Sequence, residues 1–212
     1  MKKYEKIETV FERDTMGTKK LKYGCYRNNA VKYTAWNEWQ WTEKIDGTNV
    51  RVHWDGHKVS FGGRTDNASL PVPLMERLYE LFSNNTAEEL FEQLFGEKDV
   101  ILFGEGYGKK IQAVGSKYIP DGVDFILFDV CVNDTYLDRE EVENIALAFR
   151  ISVVPVVLVG TINDAINYVM EKPKSTIGTA PMEGLVGRPA VELKDKNGKR
   201  LIVKVKVCDF TE

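Results

Sequence analysis

Glu43-Lys44-Ile45-Asp46-Gly47-Thr48-Asn49 leads into an alternating run in which Arg51 and His53 separate Val50, Val52 and Trp54. Apolar residues at every second position mark a strand with one face in a core. The pattern predicts strands over residues 50–54 and 58–62, joined at Asp55-Gly56 by a tight turn. Lys44 is then expected on the loop feeding the first of them. Gly47 lets the backbone come close to a ligand, and Asp46, Thr48 and Asn49 crowd polar groups around the amine. A lysine in that company suits covalent nucleophilic catalysis. The same K-x-D-G tetrapeptide also arises as a solvated turn, so the choice depends on the rest of the chain.

Outward from this run, strands and helices interleave. Leu74, Leu78, Leu81 and Phe82 form a helical stripe within residues 73–82. Thr86 with Glu89, and Asp138 with Glu141, have capping-box spacing for helices ending near Phe95 and Phe149. Residues 100–103 and 125–132 are almost wholly apolar, as buried strands are. Residues 153–159 read as an edge strand interrupted by Pro155. Residues 161–170 read as a helix and 201–207 as a last alternating strand. The mixture is α+β with antiparallel pairing. No Pro/Gly/Ser-rich linker divides it, so a single domain over residues 1–212 is expected.

Composition narrows the chemistry. With 212 residues, 43% of them hydrophobic, the chain can bury a substantial core. It has no long apolar run and no signal-peptide core, so no membrane partner is expected. Cys25, Cys131 and Cys208 are far apart in sequence and form no C-x-x-C pair, which fits reduced thiols and the cytoplasm. His53 and His57 are the only histidines, which argues against a Ser-His-Asp triad or a histidine-rich metal centre. Catalysis then falls to Lys, Arg, Asp and Glu. The net charge of −3 gives no global nucleic-acid footprint but allows a local basic groove.

Several such residues recur at element ends. Arg64 closes Ser60-Phe61-Gly62-Gly63-Arg64-Thr65, where a guanidinium can clamp phosphate or ribose, or stand as a surface arginine. Glu105 lies between glycines in Phe103-Gly104-Glu105-Gly106-Tyr107-Gly108, either as a polar loop residue or poised for a ligand's hydroxyls. Phe128, in Asp124-Phe125-Ile126-Leu127-Phe128-Asp129, reads as core or as a face for a purine. Glu183 and Arg188 bracket a short strand. Lys204 and Lys206 alternate with Val203, Val205 and Val207, which puts both ammonium groups on one face. Two like charges there need solvent or an anion between them.

The ordered series K-x-D-G, S-F-G-G-R-T, F-G-E-G-x-G, D-F-x-x-F-D, E-G-x-V and V-K-V-K, running from Glu43 to Phe210, resembles the motifs of the covalent nucleotidyltransferase superfamily. That superfamily contains ATP-dependent RNA and DNA ligases and capping guanylyltransferases. Glu43-Lys44-Ile45-Asp46-Gly47-Thr48-Asn49 looks most like the ATP-dependent RNA ligases of bacteriophages and of trypanosome RNA editing. The resemblance implies an ATP-grasp-like nucleotidyltransferase domain of antiparallel sheets flanked by helices. It implies that Lys44 attacks the α-phosphate of ATP to give lysyl-AMP, with Lys204 and Lys206 holding that phosphate as catalytic partners. Glu43, Ile45 and Asn49 would line the nucleotide site, and Arg64 would contact sugar and phosphate. Glu105 would bind ribose, Phe128 would stack on adenine, and Glu183 would serve metal and lysine. Arg188 stands where related ligases often carry lysine. Asp46 departs from the histidine of some RNA ligases and is shared with DNA ligases.

The implied cofactors are ATP and Mg²⁺ or Mn²⁺, hard cations suited to phosphate and carboxylate oxygens. The implied partner is RNA with 5′-phosphate and 3′-hydroxyl ends. The chain stops soon after the Lys204/Lys206 strand, so no C-terminal OB-fold is expected, and strand binding falls to a protein partner or to the domain's own surface. Lys19, Lys20, Lys22, Arg27, Lys32, Trp36, Trp39 and Trp41 offer charge and stacking for a strand, or core packing in the case of the tryptophans. DNA-ligase-like and guanylyltransferase-like activities remain as alternatives, as does a non-catalytic nucleotide-binding module. A free lysine, with a pKa of about 10.4, is neutral only to about one part in a thousand near neutral pH, so any nucleophilic lysine here requires tuning.

Overall fold

A computed structural model describes residues 1–211. The chain divides into two compact units, one made of Met1–Tyr4 and Asp46–Val154, the other of Glu5–Ile45 and the chain from Pro155 onward.

The first unit is built on a six-stranded sheet. Its path runs Ser152–Val153, Val123–Val132, Val100–Gly108, Thr48–Trp54, Val59–Gly62, with Thr135–Tyr136 pairing Val123–Val132 off that path. All pairings are antiparallel except that of Ser152–Val153. Val50, Val52 and Trp54 face the core, where they meet Leu74, Leu78 and Phe82 of the Val72–Phe82 helix, Phe91 of the Asn85–Phe95 helix and Phe149 of the Arg139–Phe149 helix. Each such side chain, once buried, contributes roughly 1.5–3 kcal/mol.

Local signals behaved unequally. The Asp138/Glu141 capping box forms with both reciprocal hydrogen bonds. Thr86, in contrast, is not a cap. Asn84 Oδ1 accepts from Ala87 N at 3.0 Å, so the helix starts earlier and Thr86 lies inside its first turn. Asparagine caps at least as well as threonine, and the earlier start adds helical hydrogen bonds. Glu105, expected at the end of a buried strand, lies within a strand that continues to Gly108. A Cβ on Gly104 would lie 2.2 Å from the Phe125 ring, so the glycine is there to admit that ring.

Arg51 departs furthest from expectation. Alternation assigns it to the solvent face, yet it is 0% exposed. The reason is that this face of the sheet is also covered. Tyr4, Phe128 and Tyr136 pack there on Ile101, Phe103 and Cys131. Arg51 meets its hydrogen-bonding needs with Gly63 O at 2.7 Å, Met1 O at 2.9 Å, Lys2 O at 3.3 Å and Asp66 Oδ1 at 2.9 Å.

The second unit holds a five-stranded sheet in the order Glu8–Thr9, Val203–Lys206, Gly184–Pro189, Trp39–Lys44, Val156–Gly160. Its core is formed by Trp39, Trp41, Leu185, Val203 and Val205 with Ile162, Ile166 and Val169 of the Ile162–Met170 helix. Each buried indole finds an acceptor, Trp39 at Thr34 O (2.8 Å) and Trp41 at Gly160 O (3.1 Å). Trp36, in contrast, is 79% exposed. The expected strand over 153–159 is two strands parted at Pro155, each on the edge of a different sheet. Proline cannot donate to a ladder, and here the chain crosses from one unit to the other. No helix among the described residues is long and apolar enough to cross a membrane.

Arg51→Met removes the guanidinium that those three carbonyls share with Asp66. Hydrogen bonds to charged groups are worth about 1.5–3 kcal/mol each, so a loss of roughly 2–4 kcal/mol is expected in urea unfolding. A loss below about 0.5 kcal/mol would mean that the network is not structural.

Candidate active site

Lys44 is the last residue of the Trp39–Lys44 strand, not part of a loop before the next one. Its backbone pairs with Gly184, and Gly184 in turn pairs with Lys206. Three strands thus place Lys44, Gly184 and Lys206 in one row. The next row on the same face of the sheet is Thr42, Val186 and Lys204. The absence of a side chain at Gly184 is a steric requirement, because a Cβ there would lie 2.2 Å from Val205 O.

Glu183, the residue before this row, supplies the anion that clustered lysines require. Its Oε2 accepts from Lys44 Nζ at 2.6 Å and its Oε1 from Lys206 Nζ at 2.6 Å. The Lys44, Glu183 and Lys206 side chains are 25%, 17% and 30% exposed, so the bridge is only partly screened by water. Charge-assisted bonds of this kind are the strong ones. Burial, the largest single influence, lowers the pKa of Lys206, but the hydrogen bond and charge of Glu183, together with Cys208 and Asp209, outweigh it and leave that pKa raised. Among the described residues Lys204 has no such hydrogen bond. Burial depresses its pKa, and the Lys44 and Lys206 charges push in the same direction. The face therefore holds one clamped ammonium pair and one lysine whose charge is disfavoured.

Glu43 lies on the opposite side of the strand from Lys44, with Trp39 and Trp41, and is 1% exposed. Its carboxylate accepts from Ser175 Oγ, from Thr176 N at 2.9 Å and from Thr176 Oγ1 at 2.6 Å. Ser175 N donates to Ala180 O and Met182 N to Pro173 O, so this carboxylate anchors a folded-back loop that delivers Glu183. Ser175 and Thr176 are therefore positioning residues that the sequence reading missed. They lie more than 130 residues from Glu43, and no local pattern connects them. Ile45 is buried at 3%, and Arg188 pairs with Gln40 toward the far end of its strand.

The remaining candidates belong to the first unit. Asn49 and Glu105 are direct cross-strand partners. Asn49 Oδ1 is buried with no hydrogen-bond partner, a state that costs about 1–3 kcal/mol and leaves an acceptor for a ligand's donor. Gly47 lies against the same strand, where a Cβ would fall 2.3 Å from Gly106 O. Arg64 is exposed, on the segment that Arg51 pins through Gly63 and Asp66. Phe128 sits where the register shifts between Phe103 and Gly104, a bulge that re-aims the strand, and its ring lies 5.0 Å edge-on from Tyr4. The second unit thus gathers Lys44, Glu183, Lys204 and Lys206 on one sheet face, and the first places Asn49 beside Glu105. Among the described residues no group of three or more His, Cys, Asp or Glu is arranged to hold a metal.

The Lys204 shift makes a stability prediction. Its folded pKa lies below its unfolded value, so its charge opposes folding at neutral pH, and the penalty fades as pH rises through the unfolded pKa near 10.4. Lys204→Met should raise Tm at neutral pH, with the gain shrinking toward alkaline pH. Thermal melts across pH that show a loss at neutral pH would contradict this assignment.

The RNA ligase family model matches residues 37–206. Solved structures of Naegleria gruberi RNA ligase share the fold. The form with PPi has a TM-score of 0.62 at 20% identity, covering 84% of this chain and 51% of that one. A lysine-to-alanine mutant with ATP and Mn has a TM-score of 0.63 at 20% identity, with 84% and 51% covered. An apo aspartate-to-alanine mutant gives 0.64 at 19%, with 85% and 52% covered. The chain therefore spans about half the length of these ligases. No match to it was found among curated proteins. With the family model matching residues 37–206 of 212, the chain belongs to the RNA ligase family.

Proposed function

We propose that the chain is an ATP-dependent RNA ligase, acting as one adenylyltransferase domain, which captures AMP on Lys44, passes it to a 5′-phosphate RNA end and joins that end to a 3′-hydroxyl. The observation that carries this reading is the Lys44–Glu183–Lys206 bridge with Lys204 beside it. Lysine is a nucleophile only when neutral, and Glu183 Oε2, 2.6 Å from Lys44 Nζ, is placed to accept its proton. Lys44 Nζ then forms a bond to the α-phosphorus while the bond to the bridging oxygen breaks and pyrophosphate departs with the electron pair. Lys204 and Lys206 neutralise charge that develops on the α-phosphate oxygens. In the second step a 5′-phosphate oxygen attacks the same phosphorus and the P–N bond breaks, returning the amine. In the third step the 3′-hydroxyl attacks the activated end and AMP leaves.

Asn49, Arg64, Glu105 and Phe128 are assigned to the nucleoside and its phosphates, the Asn49 acceptor being the orphan that a ligand donor would satisfy. Ile45 and Arg188 belong to the same assignment. Glu43 acts on the site by anchoring the loop before Glu183, not by direct contact through its carboxylate. A lone carboxylate, Glu183, together with substrate phosphates and water fits a Mg²⁺ or Mn²⁺ ion, which typically binds through one or two carboxylates plus phosphate oxygens. Such an ion would supply charge neutralisation at the phosphates. The Naegleria gruberi ligase structures with ATP and Mn support ATP and a divalent metal here.

Incubation with α-labelled ATP and Mg²⁺ should label the protein, α-labelled GTP should not, and 5′-phosphorylated RNA should discharge the label. Lys44→Ala should abolish labelling. Lys206→Ala should slow it by about 10²-fold, as loss of a charge-stabilising donor does. Labelling that survives Lys44→Ala, or that prefers GTP, would overturn the assignment.

A further inference from the structure

Residues 15–37 contain Lys19, Lys20, Lys22, Arg27 and Lys32 and no aspartate or glutamate, in a chain whose net charge is −3. The structure places these cations on a hairpin and a short helix of the second unit. Asp14 accepts from Met16 N and Thr18 N, and its own N–H donates to Lys20 O, closing the turn between Phe11–Arg13 and Leu21–Tyr26. That turn presents Lys19 and Lys20, and Lys22 is exposed on the strand that follows it. Arg27 pairs with Glu8 at 3.4 Å, whereas no ion pair among the described residues engages Lys19, Lys20, Lys22 or Lys32.

The same segment exposes aromatic rings that a folding core would ordinarily recruit. Tyr23, Tyr33 and Trp36 are 67%, 76% and 79% exposed. The Asn29–Thr34 helix buries Val31 and directs Asn29, Lys32 and Tyr33 outward, with Trp36 following one position beyond the C-cap Ala35. Lys32 and Tyr33 are thus exposed on the helix, and Trp36 is exposed two residues after its end, which gathers a cation and two rings within five residues of chain. Trp39 and Trp41, a few residues later, are buried at 0% with their indoles bonded. Only Trp36 among the four tryptophans is free to stack, because Trp54 is 3% exposed.

We propose that the hairpin bearing Lys19, Lys20 and Lys22, and the helix bearing Lys32 and Tyr33 with the Trp36 that follows it, bind single-stranded RNA. Cations that neutralise phosphates, interleaved with flat rings that stack bases, are what a single strand requires, and neither group depends on base identity. The proposal rests on the RNA ligase reading for the identity of the strand.

Titration of the full chain with a fluorescent 5′-phosphorylated oligoribonucleotide, followed by anisotropy at several salt concentrations, tests it. Tyr33→Ala and Trp36→Ala should each weaken binding about tenfold, Trp36→Phe should restore most of the loss, and RNA should quench Trp36 emission. Alanine at Lys19, Lys20 and Lys22 should reduce the salt slope by about 0.7 for each phosphate that is no longer neutralised. All variants should still label with ATP. Unchanged affinity and slope in variants that label normally would overturn this inference and leave the ligase reading intact, as would binding to anionic phospholipid vesicles but not to RNA. Failure of the wild-type chain to label would strike the ligase reading, while the anisotropy data would still decide whether this face binds RNA.

Discussion

A single carboxylate shared by two ammonium groups organises the second unit. Three lysines brought to one sheet face repel one another, since two unit charges about 4 Å apart interact by about 4 kcal/mol in a partly screened setting. Glu183 offsets this by bonding Lys44 and Lys206 at once, and the Glu43 clasp with Ser175 and Thr176 holds the loop that brings it there. The arrangement needs Gly184 at the centre of the row, because the strands approach too closely for any Cβ. Burial and the charges of Lys44 and Lys206 disfavour the charge on Lys204. The face is therefore charged and unsettled in a way that an anionic phosphate would relieve.

The first unit contributes a different kind of preparation. Its sheet is covered on both faces, and Arg51 is buried among backbone carbonyls and holds the segment that carries Arg64. Asn49 keeps an acceptor without a partner beside Glu105, at a strand start pressed against Gly106. Unsatisfied polar atoms and close backbone approach are features that folding alone does not favour. The K-x-D-G motif spans the point at which the chain passes from one unit to the other, between Ile45 and Asp46. Lys44, the proposed nucleophile, and the nucleoside-binding candidates thus sit on separately packed frameworks joined by that motif.

Much of this was legible in local pattern. Period-2 spacing identified the Val50, Val52 and Trp54 face, and it put Lys204 and Lys206 together on another. The Asp138 box was readable because both partners lie within one turn. Thr86 read as the cap from its spacing to Glu89, but asparagine caps at least as well and Asn84, two residues earlier, starts the helix. Alternation separates the two faces of a strand but does not say whether the second is covered, which is why Arg51 read as solvent-facing. The Glu43 clasp and the Lys44–Glu183 pair close over more than 130 residues, so only the fold reveals them. The tryptophans of residues 36–41 needed structure as well, since one is outside and two are inside.

The central claim is that Lys44, among three lysines gathered on one face, is the group that takes AMP. Peptide mapping by mass spectrometry after reaction with ATP and Mg²⁺, under alkaline conditions that preserve a phosphoramidate, tests it most directly. AMP mass on the peptide containing Lys44, and on no peptide containing Lys204 or Lys206, is the predicted result. An adduct on either of the latter lysines in the wild-type chain would contradict the account.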